Sequence, residues 1–154
     1  MMMTRCFAVA VLLLLAGCDG LFGGEEAARI PLQTVEGGYA PVRILLKPEM
    51  NPVAFNLHAD FAWGRRDESG QWNSYRATLS ADGKVVHTRD FQINSPEYSD
   101  PEQSSPPPTS LLQPMMLVDL PGEAEYEMKI VSLKPASVTL NAPQLVVRIN
   151  VRQL

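Results

Sequence analysis

Apolar and polar residues alternate along much of the chain from Tyr39 onward, with a period of two. This period is typical of a β-strand that buries one face. The clearest run extends from Val53 to Trp63, and its apolar positions are Val53, Phe55, Leu57, Ala59, Phe61 and Trp63. The intervening positions include Asn56, His58 and Asp60, so the sequence predicts a half-buried strand with a polar outer face.

The same alternation recurs from Ala124 to Ile130 and from Leu145 to Val151. Turn signals separate three further predicted strands, at residues 41–46, 115–120 and 137–141. About seven strands at this spacing predict an all-β domain over residues 39–154, built as an antiparallel β-sandwich.

One turn carries a resemblance to known modules. Leu120-Pro121-Gly122 followed by Tyr126 is similar to the turn that enters a late strand of immunoglobulin-like and fibronectin-like modules. The resemblance implies a sandwich of that kind.

Residues 72–93 are predicted to form a hairpin that turns near Asp82-Gly83. A two-residue turn pairs Leu79 with Val86, whereas a three-residue loop with a left-handed Gly83 pairs Leu79 with Val85. We prefer the three-residue loop, because it places the apolar side chains on one face: Leu79, Val85, Phe91 and Ile93.

The segment from Asn94 to Ser110 contains five prolines, which are incompatible with a central strand. We expect a long surface loop, and loops of this length are either functional or disordered. Glu97, Asp100 and Glu102 offer carboxylates for calcium there, although a solvated acidic loop is the commoner explanation.

The first residues have the layout of an export signal. Arg5 precedes a ten-residue apolar run, Phe7 to Ala16, which is too short for a membrane-spanning helix of about 20 residues. Leu15-Ala16-Gly17-Cys18 resembles the lipobox of bacterial lipoproteins. The resemblance implies a signal peptide at 1–17, cleavage before Cys18 and acyl groups on its thiol; an ordinary secretory signal is the alternative.

Asp19 follows the cysteine, and in enterobacterial lipoproteins an aspartate there resembles a signal for retention in the inner membrane. We favour the periplasmic face of the inner membrane over the outer membrane. Residues 18–38 are rich in glycine and are expected to form a lipidated flexible tether, with a turn of helix at Glu25 to Arg29.

The charge balance and the cysteine content limit the classes of partner and the mode of membrane attachment that we expect. Removal of residues 1–17 leaves 12 Lys and Arg against 17 Asp and Glu, so neither nucleic acid nor anionic lipid is an expected electrostatic partner. Residues 19–154 contain no cysteine, so the body must be stable without a disulfide. Membrane attachment is therefore expected to come from the acyl chains.

Few residues are candidates for chemistry. His58 and Asp60 share the outer face of one strand but are too few to hold a transition metal, so we expect a solvated surface pair. His87 is expected to be partly buried and hydrogen-bonded. Trp63 is assigned to the core, whereas three residues form a possible site for stacking on and binding a glycan: Arg65, Arg66 and Trp72.

The sequence contains no G-x-S-x-G elbow, P-loop, G-x-G-x-x-G or H-E-x-x-H motif, so we predict no catalytic residue, no cofactor and no metal. The favoured function is a noncatalytic envelope module that binds another envelope protein, with strand addition to a sheet edge as a plausible mode. The alternatives are a carbohydrate- or peptidoglycan-binding lipoprotein and, third, an envelope hydrolase.

Overall fold

The computed structural model describes residues 23–61, 71–94 and 110–152, except for the side chains of Gln71, Trp72 and Asn94. Within these ranges there are nine strands and one short 3-10 helix, Pro48–Met50. The strands are β1 Glu25–Pro31, β2 Thr34–Val35, β3 Gly38–Leu46, β4 Val53–Phe61, β5 Gln71–Ala81, β6 Lys84–Asn94, β7 Ser110–Val118, β8 Ala124–Ser132 and β9 Leu140–Ile149.

The strands form two antiparallel sheets that pack as a sandwich. Sheet A has the order β1-β9-β4-β7, and sheet B has the order β2-β3-β8-β5-β6. The predicted all-β antiparallel sandwich is therefore confirmed, with more strands than the expected seven. At the start of β8, the Tyr126 hydroxyl donates to the Gly122 carbonyl oxygen over 2.6 Å. A tyrosine that bonds back to the preceding turn also occurs in immunoglobulin-like sandwiches.

The core lies between the sheets and is built from the apolar positions of the predicted alternation. The largest fully buried side chains come from both sheets and include Phe55, Leu57, Leu79, Tyr126, Ile130 and Leu145. Among the aromatic residues, the ring of Tyr75 lies 6.0 Å from that of Tyr39 and 5.4 Å from that of Phe91. Burial raises the pKa of the Tyr39 hydroxyl well above its ordinary value.

The sandwich begins earlier in the chain than the predicted boundary at Tyr39. Strands β1 and β2 lie within the segment expected to be a flexible tether, and the expected turn of helix at Glu25 to Arg29 is part of β1. The reason is tertiary pairing, because β9 supplies backbone partners from Glu25 to Pro31. The side chains of Ala28 and Ile30 pack against the core.

Two predicted strands at the C-terminal end form a single strand. The segments expected at residues 137–141 and 145–151 are both represented in β9, Leu140–Ile149. Ala142 has a φ of 44° and lies where the pairing with β4 shifts register. This irregularity interrupts the apolar alternation, which is why the sequence suggests two strands.

The preferred hairpin register is wrong. Asp82 and Gly83, with φ of 51° and 73°, form a two-residue turn that pairs Ala81 with Lys84. A register shift next to this turn then pairs Leu79 with His87. At this shift β6 has one residue more than β5, which reverses the face that its side chains take. Phe91 and Ile93 are therefore buried, as expected, while Val85 is 66% exposed.

The strand ends define two poles of the sandwich. The near pole contains Gly23–Gly24 and the turns at residues 47–52, 82–83, 119–123 and 150–152. The far pole contains the turns at residues 32–33, 36–37 and 133–139. The segments 62–70 and 95–109 also join strand ends at the far pole.

One asparagine supports each pole. At the near pole, Asn51 accepts from the Leu120 backbone N–H over 2.8 Å and donates to its carbonyl oxygen over 3.0 Å. At the far pole, Asn73 is 1% exposed and bonds to the turn at Ser137 and Val138. Both side chains satisfy backbone groups that the ladders leave free.

Candidate interaction face

The outer face of sheet A is ordered by register into rows that cross the four strands. One row joins Glu26, Arg148, Ala54 and Leu117, and the next joins Arg29, Val146, Asn56 and Pro114. The third joins Pro31, Gln144, His58 and Leu112. Residues paired across antiparallel strands point to the same side, so these side chains form one surface.

Charge on these rows is confined to the side formed by β1 and β9. Arg29 donates from Nε and Nη2 to the two carboxylate oxygens of Glu26, each over 2.9 Å. The Arg29 hydrogen bond lowers the pKa of the Glu26 carboxyl. Arg29 also donates from Nη1 to the Gln144 side-chain oxygen over 3.0 Å. The guanidinium of Arg148 is bound to the carbonyl oxygens of Gly23 and Gly24.

The other half of these rows forms what we call the β4–β7 patch. It consists of Ala54, Asn56, His58, Leu112, Pro114 and Leu117, and it contains no lysine, arginine, aspartate or glutamate. Leu112 is 50% exposed, whereas Asn56 is only 6% exposed. The patch therefore combines exposed apolar groups with one buried and one half-buried polar side chain, Asn56 and His58.

The outer face of sheet B is different, because ion pairs cross it. Arg43 lies 3.1 Å from the Glu127 carboxylate and 3.6 Å from that of Glu125. Arg76 lies 2.7 Å from the Asp90 carboxylate, and this hydrogen bond lowers the pKa of the Asp90 carboxyl. Exposed Leu45 lies among these charges. The β4–β7 patch is therefore distinguished by the absence of any charged side chain.

His58 is more buried than a solvated surface residue. Its side chain lies between Gln144 on β9 and Leu112 on β7, because β4 is an inner strand of the sheet. Its Nδ1 atom is buried and has no hydrogen-bond partner among the residues described. A buried polar atom without a partner costs about 1–3 kcal/mol, so a partner at this atom would be stabilising. Asp60 is exposed, as expected.

The expectation for His87 is wrong. It lies opposite buried Leu79, as an inward position should, yet its side chain is exposed. His87 lies near the hairpin turn of β6, an edge strand of sheet B, whereas Phe91 and Ile93 further along the same strand are buried.

The structure does not describe the side chains of the other residues that the sequence suggests for lipidation, sorting or ligand binding. Cys18, Asp19, Trp63, Arg65 and Arg66 lie outside the described residues, and so do the carboxylates of Glu97, Asp100 and Glu102. Trp72 belongs to β5 by its backbone, but its side chain is not described. The lipidation, sorting, calcium and glycan hypotheses thus stay predictions.

The sandwich also has a cleft of about 650 Å³, formed where β6 approaches β7. Its lining includes Ser74, Arg89, Phe91, Gln113 and Leu133 but no histidine, so Ser74 has no imidazole base there. Across residues 23–61, 71–94 and 110–152, no three His, Cys, Asp or Glu side chains are grouped closely enough to hold a metal ion. In the same ranges, no helix has the length and apolar character needed to cross a membrane.

Comparison with known proteins does not identify a family. No protein-family model matches this chain, and no curated protein matches it.

Proposed function

We propose that this chain is a lipid-anchored, noncatalytic envelope lipoprotein that binds another envelope protein through the β4–β7 patch. The observation that carries the binding role is the contrast between the two outer faces. One is crossed by ion pairs, whereas the patch presents Leu112, Pro114 and Leu117 next to half-buried His58.

The residues of the patch favour a protein partner over other classes. Without lysine or arginine, it offers no cation to phosphate, which argues against nucleic acid and anionic lipid. It has no aromatic ring other than the imidazole of His58, whereas sugar platforms use large aromatic rings. A protein surface with apolar side chains for Leu112 and Leu117, and a hydrogen-bonding group for His58 Nδ1, would suit it.

Within sheet A, contact through the face is favoured over strand addition at either edge. The edge strand β7 contains Pro114 and a register shift beside it, and the edge strand β1 contains Pro31 and a shift next to Ala28. Proline lacks a backbone donor, and bulges bend an edge away from a prospective neighbour. Both edges of sheet A are thus poorly suited to a continuous added strand.

The anchor part of the proposal is supported by the lipobox-like sequence ending at Cys18. Acyl chains there would hold the sandwich at the membrane without help from charge, since two or more chains anchor stably. The periplasmic face of the inner membrane is the proposed location, with the outer membrane as the alternative.

A pair of matched leucine variants tests the binding role. Leu112→Asp places a charge on the patch, whereas Leu45→Asp does the same at a 59% exposed leucine on the outer face of sheet B. After chemical crosslinking in intact cells, we expect Leu112→Asp to lose the adducts of the wild-type protein and Leu45→Asp to retain them. Retention of every adduct by a folded Leu112→Asp protein would contradict the proposal.

A further inference from the structure

The chain enters the sandwich at the near pole through a fixed contact. The Arg148 guanidinium on β9 donates from Nε to the Gly23 carbonyl oxygen. It also donates from Nη2 to the Gly24 carbonyl oxygen over 2.8 Å. Two successive backbone carbonyls are therefore held by one cationic side chain, and such charge-assisted bonds are among the stronger ones.

Gly24 packs too closely against β9 for another residue to replace it. Its φ is +65°, and a Cβ atom there would lie 2.2 Å from the Ile149 carbonyl oxygen and 2.9 Å from Val151 Cγ2. The backbone at Gly24 thus rests directly on the end of β9, and Arg148 covers it. Together these contacts attach the chain to the sandwich from Gly23 onward.

This attachment limits the distance between the body and an anchor at Cys18. The interval from Cys18 to Gly23 is five residues, which span at most roughly 17 Å when fully extended. Strand β9 has ten residues and is about 33 Å long. The arm, residues 18–23, thus reaches at most about half the height of the sandwich. A free tether of residues 18–38 would reach much further.

We infer that the near pole is a membrane-facing surface, on which the sandwich stands at the lipid headgroups with its far pole outermost. The inference rests on the lipid anchor of the proposed function. It leaves the β4–β7 patch facing sideways, and it places the ends of the strands that flank segments 62–70 and 95–109 away from the bilayer.

The charges of the near pole indicate that geometry, not attraction, sets this orientation. Its turns carry both signs, with the cations Lys47 and Arg152 and the anions Glu49, Asp82, Asp119 and Glu123. Lys47 lies 3.7 Å from the Glu123 carboxylate. Mixed charge gives no strong preference for anionic lipid, so the orientation should persist on zwitterionic vesicles and at high salt.

Spin labels at single cysteines test the orientation, because residues 19–154 contain no native cysteine. The acylated protein is reconstituted into phosphatidylcholine vesicles that contain a nickel-chelating headgroup lipid. Labels are placed at the near pole by Glu49→Cys, at the far pole by Glu36→Cys, and on the face of sheet A by Leu112→Cys. All these positions are exposed. Nickel at the headgroups should increase the spin relaxation rate of the label at position 49 several-fold more than that of the label at position 36 or 112.

A variant that removes the Arg148 bonds to Gly23 and Gly24 supplies the matched test. Arg148→Met should free at most Gly23 and Gly24, because Glu25 still pairs with Ile149. It should therefore reduce the several-fold difference in part, whereas Arg43→Met on sheet B should leave it unchanged. Equal relaxation of all three labels in the wild-type background, or strongest relaxation at Leu112, would overturn the orientation while leaving the anchor intact. Failure of the acylated protein to float with vesicles would overturn the anchor and the orientation together.

Discussion

Asn73 supports the strongest prediction about stability. Its side chain is 1% exposed and both donates and accepts hydrogen bonds. Its Nδ2 donates to Tyr75 Oη and to the Val138 carbonyl oxygen, each over 3.0 Å. Its Oδ1 accepts from the backbone N–H groups of Ser137 and Val138, over 2.9 and 3.2 Å. One side chain thus joins β5 to the turn before β9.

Replacement by alanine would leave several of these partner groups unsatisfied. Each buried group without a partner costs about 1–3 kcal/mol, but the turn at residues 133–139 is largely exposed and can recover water. We therefore expect Asn73→Ala to lower the free energy of unfolding by about 2–4 kcal/mol, a large share of the 5–15 kcal/mol typical of a domain.

The assay is urea denaturation monitored by circular dichroism, with hydrogen exchange at the Ser137 and Val138 amides as a local readout. Asn141→Ala is the matched control, because Asn141 is exposed and should change stability by less than about 0.5 kcal/mol. If Asn73→Ala unfolded at the same urea concentration as wild type, with both amides still protected, the bonding scheme at the far pole would be refuted.

Three further predictions concern single residues. Arg29→Gln should return the lowered pKa of Glu26 towards its ordinary value of 4.5. Since that pKa is depressed in the fold, the stabilisation is present above the unfolded pKa and is lost as pH falls through the folded one, which carboxyl NMR titration checks. Gly83→Ala should lower the free energy of unfolding by about 1 kcal/mol, because φ is +73° at this position. No atom lies near the added Cβ, so the cost is that of the backbone conformation alone. Thermal denaturation measures it, and an equally stable variant would contradict the prediction. Cys18→Ser should remove metabolic palmitate label and release the chain from membranes, whereas a labelled, cleaved product would disprove lipidation at Cys18.

The parts of the fold that the sequence predicts are those in which one face alone is buried. In β8, Tyr126, Met128 and Ile130 point into the core while Glu125 and Lys129 point out, so the alternation is visible in the sequence. Strand β1 is an exposed edge with little apolar alternation, and it is specified by pairing with β9, which no local pattern reveals.

The candidate site depends on information that the sequence does not contain. The β4–β7 patch arises because register brings Asn56 beside Pro114 and His58 beside Leu112, across a long interval of chain. Alternation correctly places Asn56 and His58 on the outer face. Their burial, however, depends on the strands beside them. The bonds from Arg148 to Gly23 and Gly24 likewise join residues that are more than 100 positions apart in the sequence.

Position-specific photo-crosslinking tests the central claim most directly. A photoreactive residue replaces Leu112 on the patch or Leu45 on sheet B in the otherwise native chain, and adducts are identified by mass spectrometry after irradiation of intact cells. We expect position 112, and not position 45, to give a discrete adduct with another protein of the same membrane. No adduct at position 112, or the same adducts from both positions, would contradict a binding role for the β4–β7 patch.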